Sequence, residues 1–109
     1  MTIQDLIYQN LDILLKNQAQ KEEGLNMERA LKIGAYVAAG VLRSRHKEQK
    51  EILTIEIEGV YGIVRDFYQE HFESFNNKDY ENLKDTSLNL LRNPNFDQEL
   101  ESFIQSIVE

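Results

Sequence analysis

Leu53, Ile57, Val60, Val64, Phe67, His71 and Phe75 recur at steps of four, three, four, three, four and four. Only a helix can place such a series on one face, so this spacing constrains the fold more than any other feature of the chain. It predicts a long third helix from about 47 to 75. Against it, residues 53 to 58 alternate like a half-buried strand, and Gly59 and Gly62 each cost about 1 kcal/mol inside a helix relative to alanine. No second strand candidate exists to pair with such a segment, and a lone strand leaves its backbone unsatisfied. The alternative is a strand completed by a second copy of the chain.

The flanking segments share the helical period. Ile3, Leu6, Ile7, Leu11, Leu14 and Leu15 form one face of a first helix over 3–18, followed by a polar loop from Ala19 to Gly24. Asn26 can cap a second helix, whose small residues at 30, 34 and 38, and again at 35 and 39, let another backbone approach closely and mark it as central. Asn76-Asn77 reads as a loop before a fourth helix over 78–91. Asn93 is a candidate cap for a fifth, with Pro94 at its first position and Asp97 and Glu99 at the positive end of its dipole. One proline and five glycines in 109 residues agree with helices. The expected fold is all-α: a single domain over 1–109, a small bundle of four to five helices with a long third helix.

Without cysteine, disulfides, thiolate metal sites and cysteine nucleophiles are excluded. Neither the Gly-x-x-x-x-Gly-Lys phosphate loop, nor Gly-x-Gly-x-x-Gly, nor the Gly-x-Ser-x-Gly elbow occurs, and no Glu-x-x-His pair precedes His46 or His71. The reading is no cofactor, no metal and no enzyme. The first fifteen residues lack a basic leader, and the longest apolar run, 33 to 42, is about half a bilayer span. A cytoplasmic protein away from membranes is expected.

Residues 1 to 50 hold eight Lys or Arg against six Asp or Glu, and residues 51 to 109 hold four against thirteen, so the halves carry +2 and −9. That balance disfavours duplex nucleic acid as a partner. Arg43, Arg45, Lys47 and Lys50 form one basic cluster, suited either to solvating a helix C-terminus or to docking on an acidic surface.

Arg65-Asp66-Phe67-Tyr68-Gln69-Glu70-His71 resembles the Arg-polar-x-x-x-His signature of the HEPN superfamily, small helical domains many of which cleave RNA. The resemblance covers two or three residues and implies Arg65 on a phosphate and His71 assisting proton transfer. The spacing is one residue longer than in that signature, and six residues of continuous helix leave the two side chains about 120° apart. RNA binding or cleavage is therefore the alternative reading.

The leading reading is protein binding. A helix of 29 residues spans about 43 Å, longer than a bundle of this size with a radius of gyration near about 13 Å requires. Ile52, Ile55, Tyr61, Ile63, Tyr68 and Phe72 lie off the main stripe and broaden it, which points to cover by a second copy in a homodimer. Tyr61, Tyr68 and Phe72 with Arg65 form the expected anchor set, since aromatic residues and arginine dominate interface hot spots. The implied role is that of a small acidic regulator of the kind phages and bacteria encode as inhibitors, immunity factors or assembly adaptors.

Overall fold

The computed structural model describes residues 2–45 and 54–109. They form five helices, α1 (Ile3–Ala19), α2 (Met27–Arg45), α3 (Thr54–His71), α4 (Asn77–Arg92) and α5 (Phe96–Val108), with no strand among the described residues. The all-α bundle is the architecture that the apolar spacing predicts.

Caps set the boundaries. Thr2 and Asp5 form a capping box at the start of α1, and Asn76 and Asp79 form another at α4, each satisfying two amides that the helix cannot. Asn26 accepts from the Arg29 amide at 2.8 Å and starts α2. The start of α5 differs from the sequence reading. Asn93 closes α4 instead, its side-chain oxygen accepting from the Asn95 amide at 2.9 Å, and the helix begins two residues beyond Pro94.

α2 is the central helix and touches the other four. Ala30, Gly34, Ala35, Ala38 and Ala39 are all buried, and α4 packs along it most extensively. Gly34 shows why the residues are small: a Cβ there would sit 2.7 Å from the Leu83 Cδ1 and 2.8 Å from the Tyr68 hydroxyl.

The third helix corrects the sequence reading at its C-terminal end, which is His71 and not Phe75. Its described span is 18 residues, about 27 Å, which fits within the 39 Å longest dimension of the bundle. Residues 47 to 53, including Ile52 and Leu53, lie outside the described residues. After His71 the chain turns: the Phe72 amide reaches the Tyr68 carbonyl at 2.9 Å, and the Phe75 amide the Phe72 carbonyl at 3.2 Å. Phe72 and Phe75 both face the Tyr68 ring, at 5.3 and 5.5 Å between centroids. The stripe continues past the helix because a turn folded onto one buried ring keeps its aromatics inward. Gly59 and Gly62 lie within helix, and Thr54 to Glu58 is helical and not a strand.

Candidate functional site

The residues expected to dock a partner fall into separate places. Tyr61 is 1% exposed and Tyr68 0%, so neither can anchor a partner at a free surface; Phe72 is half-buried. The Tyr68 hydroxyl donates to the Ala30 carbonyl of α2. Those rings fill the interior because α1 and α2 both pack against α3, with Tyr80 of α4 reaching it beneath Arg65. The broad flank that suggested a homodimer is thus mostly covered within one chain, with Ile55 left exposed.

Arg65 lies over the Tyr80 ring of α4 at 5.4 Å, with Asp66 3.7 Å from its Nε. His71 stacks on Phe67 at 4.1 Å, its Nδ1 bonded to the Phe67 carbonyl at 2.9 Å, and Phe67 meets Tyr8 of α1 edge-on. Arg65 turns toward α4 and His71 lies on the α1 side, so the two do not converge on one phosphate as the HEPN-like alternative needs. Among the described residues no group of three or more His, Asp or Glu is placed to hold a metal ion.

The basic cluster also divides. Arg43 folds inward, donating to the Leu91 carbonyl at 3.1 Å and lying over Phe96 at 5.6 Å, so it ties the end of α4 to α2. Arg45 is exposed. Lys47 and Lys50 lie outside the described residues.

A different surface gathers apolar side chains. On α1, Ile3, Leu6, Asn10 and Leu14 succeed one another at steps of three, four and four along one edge. They face Leu100 and Ile104 of α5 across a floor of Val37, Gly40 and Val41 from α2, enclosing a groove of about 350 Å³. Gly40 keeps this floor low: a Cβ there would come 3.3 Å from the Leu100 Cδ2. Leu6 remains 41% exposed. Thr2, Asn10, Ser44 and Arg45 supply the polar lining.

The sequence reading placed Ile3, Leu6, Ile7, Leu11, Leu14 and Leu15 on one helical face. In the structure Ile7, Leu11, Leu14 and Leu15 are buried, while Ile3 and Leu6 stand at its margin. The available signal was Asn10, a polar residue four after Leu6 and four before Leu14, which marks an edge open to water. No family model matches the chain, and no curated protein or solved structure is significantly similar to it.

Among the described residues no helix is long and apolar enough to cross a membrane.

Proposed function

We propose that this is a non-enzymatic protein-binding protein that holds an amphipathic helix of a partner protein in the α1–α2–α5 groove. What supports the reading is the groove itself: Leu6, a large apolar side chain left partly open, beside an apolar floor and Arg45. Helices docked in grooves insert apolar residues at helical spacing. One fully buried Leu or Phe contributes about 1.5–3 kcal/mol, so a few anchors suffice for specific binding. Among the described residues Arg45 has no carboxylate within ion-pair distance, which favours a partner helix bearing Asp or Glu beside its apolar face.

The test compares affinity captures by three forms of the full chain: wild type, Leu6→Asp in the groove and Ile13→Asp outside it. Ile13 is 55% exposed, so both substitutions leave the core untouched, as a melting curve verifies. A partner retained by wild type and Ile13→Asp but lost by Leu6→Asp supports the reading. Retention by all three forms, or by none, removes it.

A further inference from the structure

A second cleft lies on the α2–α5 side of the bundle, lined by Arg29 and Lys32 of α2 with Gln98, Ser102 and Phe103 of α5. Phe103 stacks on Tyr36 at 4.0 Å between centroids and also carries two cations, the Arg29 guanidinium at 4.8 Å and the Lys32 ammonium at 5.7 Å. Arg29 is held in place. Its Nε donates to the Gln18 Oε1 at 3.0 Å, and Gln18, 4% exposed, is pinned in turn by its Nε2 donating to the Gly24 carbonyl at 2.9 Å. Fixing the guanidinium through Nε leaves its two terminal nitrogens for the cleft.

The chain has 19 acidic residues, yet among the described residues none lies within ion-pair distance of Arg29 or Lys32. Glu99, which lines the cleft, has its Oε2 accepting from the Asn93 side-chain Nδ2 at 2.7 Å. Glu99 brings its charge to the cleft but makes no ion pair with either cation among the described residues. The two neighbouring cations therefore still repel one another, and a bound dianion removes that cost. Ser102 and Gln98, which also line the cleft, carry neutral donor groups.

We infer that this cleft binds a phosphate group, with Arg29 as the oriented fork and Lys32 as the mobile charge. A dianion matches the two cations, and three acceptor oxygens match more donors than a carboxylate can use. The inference does not rest on the apolar groove, although Tyr36 lines both clefts.

The probes are inorganic phosphate, a peptide containing phosphoserine, and phosphatidylcholine vesicles doped with a phosphatidylinositol phosphate. Each is titrated into the full chain and followed by amide chemical shifts. Saturable shifts at Ser102 and Phe103 are expected, with a dissociation constant raised about tenfold by Lys32→Gln, the loss of one charge-assisted contact. Lys78→Gln, an exposed charge removed elsewhere, controls for net charge and leaves the constant unchanged. Lys32 is chosen because it is exposed, whereas removing Arg29 also strips a partner from buried Gln18. The tightest probe identifies the source as a free phosphate, a phosphoprotein or a lipid. Absence of saturable shifts with all three probes, or equal constants for wild type and Lys32→Gln, overturns the inference.

Discussion

The Tyr68 hydroxyl donates to the Ala30 carbonyl, joining α3 to α2 over the space that Gly34 leaves. A side chain on Gly34 would meet Tyr68 and Leu83 together, and both are fully buried. Gly34→Ala is therefore expected to destabilise by about 1–3 kcal/mol through overpacking, despite alanine's better helix propensity. Gly59 has nothing within 4 Å of an added Cβ, so Gly59→Ala gains about 0.5–1 kcal/mol. Urea unfolding of the two variants checks the opposite signs.

Burial pushes the hydroxyls of Tyr61 and Tyr68 up from the ordinary tyrosine value of 10.0. A folded pKa above the unfolded one means that the folded state keeps a proton the unfolded state gives up. Stability is full below about pH 10 and falls as pH rises further, by about 1.4 kcal/mol per pH unit for each such tyrosine until the folded state also ionises. Unfolding in alkali followed by phenolate absorbance should show these two rings ionising together with loss of helix. Tyr68→Phe flattens the dependence and costs about 0.5–1.5 kcal/mol at neutral pH through the lost hydrogen bond.

Tyr61 and Ser87 bury their hydroxyls without a formed hydrogen bond among the described residues, although Ser87 partly offsets the larger upward push that burial gives the Tyr61 pKa. Replacing a poorly satisfied polar pair with apolar groups is close to neutral or favourable. The double variant Tyr61→Phe, Ser87→Ala should match or exceed the wild type in thermal stability.

Arg43 and Arg45 are two residues apart and do different work. Arg43 bonds the Leu91 carbonyl and covers Phe96, so Arg43→Ala should lower stability by about 1–2 kcal/mol. Arg45→Ala, at an exposed position, should stay within about 0.5 kcal/mol of wild type. Parallel melting curves distinguish them.

The same contrast shows where sequence was informative. Apolar spacing and the Asn26 cap located the helices, and small residues at 30, 34 and 38 identified α2 as central, because those features act locally. The extent of α3 was not legible: Phe72 and Phe75 keep the helical rhythm only by folding a turn back onto Tyr68. Nor could spacing say that Tyr61 and Tyr68 point inward, since a broad stripe looks the same whether a partner or the chain itself covers it. Gln18 is simply the last residue of the expected first helix over 3–18, whereas its burial depends on Arg29 and Gly24, partners that only the fold brings near. The α1–α2–α5 groove likewise needs three helices to converge, and Asn10 alone hinted at its edge.

We propose that a partner protein occupies the groove beside Leu6. The most direct measurement places a photo-crosslinking amino acid at position 6, and separately at position 13, in the full chain within its native cells. A discrete protein adduct is expected from position 6 that is absent from position 13 and lost when Val41, on the groove floor, is enlarged to Phe in a chain that still folds. Adducts of equal yield from both positions, or none from position 6, would contradict it.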